Sequence, residues 1–225
     1  MIPPYQRRAG VLLPAFTPRR DGDLGIGDTR ALREWVDWAA EHRVGFLQLL
    51  PIQETGDDDS PYNAISSVAL EPAYLSCEPD DLPGVTAAEV AAARAGLGAA
   101  AAAGPWVDYR AVRGAKNRLL ETAWQRFPQA PAGLHVEFDA FCRAEFDWLV
   151  DYSRFRWLME RNGGRETWDL WPEDSNEPAR ALETLERERA IDPARFDDRI
   201  GFFKWVQWLC FRQWRALRAY AGAKG

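Results

Sequence analysis

The feature that most constrains the fold is a strand–helix–strand pattern near the start of the chain, because from about residue 89 onward no strand is predicted. Residues 9–14 and 46–51 are short apolar runs, each closed by a proline. Such runs are typical of strands buried on both faces of a parallel sheet. Between them, Asp28 or Thr29 can cap an amphipathic helix, so the three elements predict a βαβ unit with a right-handed crossover.

Two parallel strands alone do not form a stable sheet, because parallel sheets need more strands and cover on both faces. The rest of the chain predicts helices, over residues 87–103, 109–127, 137–160 (in one or two pieces), 178–189 and 193–221. The fold class is therefore α/β, as the N-terminal part of a larger sheet or barrel that is incomplete in this chain. We predict three segments: the βαβ unit with a substrate-side loop (1–86), an inserted helical subdomain (87–192) and a long helix that returns to the barrel (193–225).

Composition excludes several classes of protein. The 28 Lys and Arg residues against 34 Asp and Glu residues leave a net charge of −6, which argues against a nucleic-acid partner. No apolar run approaches the roughly 20 residues that span a bilayer. The residues from Met1 to Arg8 lack the apolar core of a signal peptide, so none is expected.

The cysteines indicate a reducing compartment. Cys77, Cys142 and Cys210 are far apart and odd in number, no C-x-x-C is present, and the chain has two histidines, His42 and His135. A disulfide framework or a zinc site is therefore not expected, and a cytoplasmic location is predicted. The 11 tryptophans fit either a large aromatic core or stacking platforms for ring-shaped ligands, and composition does not decide between the two.

The loop that begins at Pro51 is the first place to look for a functional site, because ligands of α/β folds meet the carboxyl ends of the strands. Its acidic cluster, residues 57–59, fits a solvated loop better than an acid/base pair, since consecutive loop carboxylates point in different directions. Gly25 and Gly27 do not form a dinucleotide fingerprint, because Arg30 stands where G-x-G-x-x-G requires glycine. We expect them to let their loop turn close to the rim of the active site.

Several ordered motifs resemble one known family. The N-terminal motifs are residues 9–13, 23–28 and 48–51, followed by Asp59-Ser60-Pro61-Tyr62 with Ser66 and Ala69 behind it. The later motifs are Asp151-Tyr152, Met159, residues 168–172 and residues 211–214. Together they resemble the N-terminal part of the 4-α-glucanotransferases, which are the amylomaltases or disproportionating enzymes of maltodextrin metabolism. Residues 14–20 differ from the His-Pro-Thr-Ser stretch of bacterial members, which suggests a separate branch.

The resemblance implies a (β/α)₈ TIM barrel with a large helical insertion. It also implies transfer of α-1,4-glucan segments between maltodextrins by a retaining double displacement, in which the two carboxyl groups lie about 5–5.5 Å apart. In the family the nucleophilic Asp, the acid/base Glu and a third Asp follow later barrel strands, so no catalytic residue maps onto this chain. The chain alone is therefore expected to be inactive and to need the missing C-terminal part of the barrel. No cofactor or metal is implied.

The resemblance also implies a substrate-binding set of Tyr62, Ser60 and Asp59. Tyr62 resembles the aromatic residue that lines the sugar subsite next to the scissile bond, and the alternative is a tyrosine that packs its own loop. Ser60 and Asp59 could bind sugar hydroxyls or cap the turn. The helix that carries Trp205, Trp208 and Trp214 is expected to serve the core, and the two histidines are expected to be surface or capping residues.

Three functional hypotheses follow. The first is the N-terminal part of a 4-α-glucanotransferase that supplies the donor-side binding surface. The second is a non-catalytic truncated relative that binds glucan weakly. The third is a helical interaction module unrelated to sugars, which would explain the aromatic helices but not the ordered βαβ motifs.

Overall fold

The computed structural model describes residues 8–225, except the side chain of Ala103. Residues 1–7, on which the signal-peptide prediction rests, lie outside the described residues. The elements are β1 (Gly10–Leu13), α1 (Thr29–Glu41), β2 (Phe46–Leu49), α2 (Ala87–Gly96), α3 (Gly98–Ala103), α4 (Tyr109–Arg126), α5 (Ala132–Ala144), α6 (Phe146–Arg161), α7 (Pro178–Ile191) and α8 (Pro193–Lys224). Short 3₁₀ helices occupy Pro72–Tyr74, Phe127–Gln129 and Trp168–Leu170.

The predicted βαβ unit is confirmed. Strands β1 and β2 pair in parallel, with Gly10 opposite Phe46 and Leu13 opposite Leu49. Helix α1 begins after Asp28, whose carboxylate accepts hydrogen bonds from the N–H groups of Arg30 and Ala31. This cap satisfies two of the free donors at the start of the helix, which is why the first turn forms there.

The predicted burial of both faces of the strands is seen on one face of this sheet within residues 8–225. Leu13 is buried in a core that also contains Leu32 of α1. The alternate side chains point the other way, and Leu12 is 57% exposed and Phe46 48% exposed. Side chains alternate between the two faces of a strand, and within residues 8–225 a covering layer lies on one face.

The helices follow the predicted pattern with local differences. The alanine-rich segment forms two helices, because the chain turns at Gly98, whose φ of +74° suits glycine. The helix predicted over residues 137–160 in one or two pieces forms two helices, α5 and α6, which are divided at Glu145. The difference is at its start, which lies earlier, at Ala132. In the described part of the chain, no helix is both long and apolar enough to cross a membrane.

The chain forms two compact units. The first comprises residues up to Ile52, Glu71–Ala123 and Cys210–Gly225, and the second comprises Gln53–Leu70 and Trp124–Leu209. The sheet, α1 and their core lie in the first unit. The second unit has its own apolar cluster, formed by Leu158, Met159, Trp171, Ala181, Leu185 and Phe196. The division at residues 86 and 192 predicted for a barrel with an insertion remains a prediction.

Candidate functional site

The candidate site lies on the long segment that follows β2, which folds back on itself in the second unit. Two isolated antiparallel bridges join Gln53 to Leu70 and Thr55 to Ala64. The Glu54 N–H donates to the carbonyl of Ala69 at 2.9 Å. Residues 53–55 and 64–70 are therefore the two arms of a hairpin-like structure, and residues 56–63 form its projecting end, called here the tip loop.

The first arm is held by a buried carboxylate. Oε1 of Glu54 lies 2.7 Å from Nη1 of Arg156, and the Tyr152 hydroxyl donates to Oε2. Both partners come from α6. A charged group is expensive to bury unless it is paired and hydrogen-bonded, so this arrangement fixes both the ionised carboxylate and the arm that carries it.

The second arm is held by an amide side chain. Oε1 of Gln207, which lies on α8 and is fully buried, accepts from the Leu70 N–H at 2.8 Å. Its Nε2 donates to the Leu70 carbonyl at 2.9 Å and to the Tyr152 hydroxyl at 3.0 Å. The amide thus takes the place of a neighbouring strand, because it offers one acceptor and one donor to the same residue. The two arms are joined through Tyr152 into one hydrogen-bonded network.

The base of the tip loop contacts the segment before the 3₁₀ helix Trp168–Leu170. Oε1 of Glu166 accepts from the Asp57 N–H at 3.1 Å. A Cβ atom at Gly56, which is buried, would lie 2.3 Å from the same oxygen. The absence of a side chain at this position therefore leaves room for the Glu166 carboxylate to lie against the Gly56 backbone.

The tip loop closes through its own polar side chains. The Ser60 N–H donates to Oδ1 of Asp58 at 3.1 Å, and the Asn63 amide donates to Oδ2. These two donors hold the pKa of Asp58 below its ordinary value, with the Asn63 amide the larger influence. Asp59 adopts a φ of +55°, a conformation that aspartate tolerates better than most residues. The turn is thus specified by local Asx-type chemistry.

All three predicted substrate-binding residues lie on the tip loop. Tyr62 is 70% exposed, while Ser60 and Asp59 are half-buried. The Ser60 hydroxyl accepts from the Tyr62 N–H at 3.4 Å, which corresponds to the turn-capping alternative. The geometry therefore presents the Tyr62 ring to solvent on a loop whose two arms are fixed by buried hydrogen bonds.

Sequence reasoning missed the residues that support this loop. Glu54, Arg156, Gln207 and Glu166 were not candidates, and Tyr152 was noticed only as part of a family motif. Arg156 lies between the apolar residues Phe155 and Trp157 on α6. An arginine in such a segment indicates a charge close to the core, which needs a partner. The partner, 102 positions earlier in the chain, has no signal of its own.

The tryptophans of α8 and the two histidines have structural roles. Trp205 and Trp208 are buried, which confirms that they serve the core, and Trp214 is half-buried against the core of the first unit. Nδ1 of His42 lies 2.8 Å from the Trp38 carbonyl, and His42 caps α1, as expected. His135 is half-buried and its ring packs on Phe127.

The cysteines and acidic groups are the remaining candidates for catalytic or metal-binding roles. The three cysteines are free thiols, and burial raises the pKa of Cys77 to about 11, so this thiol is neutral. Within residues 8–225, the described side chains include no group of three or more His, Cys, Asp or Glu residues arranged to hold a metal ion.

Comparison with known proteins gives a consistent result. A family model described as 4-alpha-glucanotransferase matches residues 13–225. The 4-alpha-glucanotransferase of Chlamydia caviae is 32% identical over 212 residues, which is 94% of this chain and 38% of that protein. The 4-alpha-glucanotransferase of Thermus thermophilus is 32% identical over 224 residues, 97% of this chain and 41% of that protein. The chain thus spans about two fifths of the length of these curated relatives.

Two solved structures have a similar fold. An amylomaltase from Streptococcus agalactiae in complex with acarbose superposes with a TM-score of 0.73 at 23% identity, over 98% of this chain and 42% of that chain. An amylomaltase from Corynebacterium glutamicum gives a TM-score of 0.70 at 21% identity, over 97% of this chain and 29% of that chain. At these identities the likeness establishes the fold of the matched portion.

Proposed function

Because the chain belongs to the 4-alpha-glucanotransferase family, as its motifs predicted, we propose that it supplies a glucan-binding surface to a 4-α-glucanotransferase. The single observation that carries this proposal is the tip loop, which displays the Tyr62 ring to solvent on a firmly held backbone. A tyrosine in this setting offers an apolar face to a sugar ring and a hydroxyl for hydrogen bonding. We assign Ser60 and Asp59 to hydrogen bonds with sugar hydroxyls.

We propose that β1, α1 and β2 are the first unit of a (β/α)₈ barrel and that the later helices form its inserted subdomain. The parallel pairing of β1 and β2 supports this proposal. So does the exposed face that carries Leu12 and Phe46, which further barrel residues would cover. The relatives are more than twice as long as this chain, which leaves ample sequence for the remaining strands.

The reaction proposed for the complete site is a retaining transfer of glucan segments between maltodextrins. One carboxylate attacks the anomeric carbon, and a second carboxyl group about 5–5.5 Å away protonates the leaving oxygen. The acceptor sugar then replaces water in resolving the covalent intermediate. We place both carboxyl groups outside this chain, so the chain alone should be inactive and should need the rest of the barrel. The carboxylates of the arm and tip described above support this, since Glu54 is held by Arg156 and Asp58 by Asn63.

The three free thiols support the cytoplasm as the proposed location, because reducing conditions maintain them.

The proposal is tested by titrating maltoheptaose into the 225-residue protein and following the binding by NMR. The Tyr62→Ala substitution should weaken binding about fivefold through loss of the ring contact. Phe146→Ala is the matched control, because Phe146 is another exposed aromatic residue of the second unit and should have no effect. Incubation of the same protein with maltotriose should release no glucose and form no longer dextrins.

The outcomes separate the two parts of the proposal. Failure of the wild-type protein to bind maltoheptaose, or equal binding by the Tyr62→Ala variant, would overturn the binding surface. Turnover of maltotriose would overturn the assignment of the catalytic carboxyl groups to residues outside this chain.

A further inference from the structure

The segment beside the tip loop carries one buried and one exposed tryptophan. Trp171 is buried, its Nε1 donates to the Arg165 carbonyl at 2.9 Å, and its ring stacks on Phe155 with centroids 5.5 Å apart. Trp168, three residues earlier, is 49% exposed. Trp171 therefore anchors the segment to the core of the second unit and leaves the indole of Trp168 at the surface.

The backbone around Trp168 is ordered by its own hydrogen bonds. The Trp168 N–H donates to the Glu166 carbonyl at 2.8 Å, and the Trp171 N–H donates to the Trp168 carbonyl at 3.1 Å. Leu170, in the same 3₁₀ turn, is also exposed and extends the apolar surface. A ligand that stacks on this indole would meet a backbone that is already ordered, so little conformational entropy would be lost on binding.

The same segment is in direct contact with the tip loop. Glu166, two residues before Trp168, accepts the hydrogen bond from the Asp57 N–H and packs against Gly56. Tyr62 belongs to the tip loop, two residues from Ala64, which is bridged to Thr55. The two exposed aromatic residues thus belong to two segments that are joined by the hydrogen bond between the Asp57 N–H and the Glu166 carboxylate.

From this arrangement we propose that Trp168 is a second glucan-contact residue, which stacks on a glucose unit of the same α-1,4-glucan chain that contacts Tyr62. The inference rests on the proposed function, because it extends the surface assigned there. A neutral sugar chain suits this surface, since each glucose presents an apolar C–H face to an aromatic ring and hydroxyl groups to the polar tip loop. An oligosaccharide long enough to reach both rings should therefore use both.

The test is ¹⁹F NMR of the full chain labelled with 5-fluorotryptophan. The Trp168 resonance is assigned by its loss in the Trp168→Phe variant. Added maltoheptaose should shift this resonance and leave that of Trp106 unchanged, because Trp106 is 84% exposed but belongs neither to the tip loop nor to the segment that carries Trp168. Trp168→Ala should weaken maltoheptaose binding about fivefold, whereas Trp106→Ala should not change it. Maltose, with two glucose units, should depend less on Trp168 than maltoheptaose does.

The result can fail in two distinguishable ways. In the first case, the wild-type protein binds maltoheptaose and Tyr62→Ala weakens that binding, so the proposed function stands. This inference alone is then overturned if the Trp168 resonance does not shift and Trp168→Ala binds maltoheptaose as tightly as the wild-type protein. If the wild-type protein binds no glucan, the proposed function falls and this inference falls with it. Should Trp168→Ala misfold, the resonance shift in the wild-type protein and the affinity of Trp168→Phe still decide the question.

Discussion

Replacing Gln207 with leucine tests whether buried hydrogen bonds hold the arms of the site loop. The change keeps a side chain of similar volume but removes the two hydrogen bonds to the Leu70 backbone and the one to the Tyr152 hydroxyl. At a net value of about 1 kcal/mol each, three such bonds amount to about 3 kcal/mol. For a chain of this size, that loss lowers the melting temperature by about 6–12 °C.

The local effect is more informative than the global one. The Glu54 and Ile65 N–H groups lie in the hydrogen bonds that join the two arms, at 2.9 Å each. If Gln207 holds the arms closed, a loss of about 3 kcal/mol should accelerate hydrogen exchange at these amides about a hundredfold. Exchange measured residue by residue by NMR provides the assay.

Gln213→Leu is the matched control. Gln213 lies on the same helix and makes four comparable hydrogen bonds within the first unit, two of them to the backbone of Ser76. Its loss should cost about 4 kcal/mol and accelerate exchange at Ser76. Equal acceleration at Glu54 and Ile65 in the two variants, or less than about tenfold acceleration in Gln207→Leu, would refute the reasoning.

Two further predictions concern the loop before α1. Gly25→Ala should destabilise the protein in urea unfolding by at least about 2 kcal/mol more than Gly22→Ala. Both glycines have a φ of +86°, but only a Cβ at Gly25 would meet a backbone oxygen, that of Ala101, at 2.4 Å. Equal losses of stability in the two variants would contradict the close approach. Burial alone would raise the pKa of Asp23, but hydrogen bonds from Arg19 and from backbone N–H groups hold it below its ordinary 3.8. Asp23 therefore stabilises the fold above about pH 4, and this contribution is lost as the pH falls further. As the pH is lowered, the free energy of unfolding should decrease less steeply in Asp23→Asn than in the wild-type protein. Parallel curves of unfolding free energy against pH for the two proteins would contradict this.

The sequence predicted those parts of the structure that depend on residues close together along the chain. The apolar runs predicted β1 and β2, and the capping candidates Asp28 and Thr29 predicted the start of α1, because apolar runs and helix caps are local features of the sequence. The ordered motifs predicted the family, which the family match confirmed.

The expected burial of both faces of β1 and β2 is seen on one face within residues 8–225, because burial is not a local property. An apolar run indicates that a strand can be covered on both sides, but the cover must come from other elements. In the described residues, Leu13 has that cover, while Leu12 on the opposite face is exposed. The sequence of the strand is compatible with either environment.

Tertiary structure alone decided how the candidate site is held. Tyr62, Ser60 and Asp59 were recognisable from a short motif, but the pairing of Glu54 with Arg156 and of Gln207 with Leu70 joins positions 102 and 137 residues apart. Such partners carry ordinary side chains, and no spacing rule relates them. The position of a helix determines which of its polar groups meets the loop, and that position results from the packing of the whole unit rather than from any single segment.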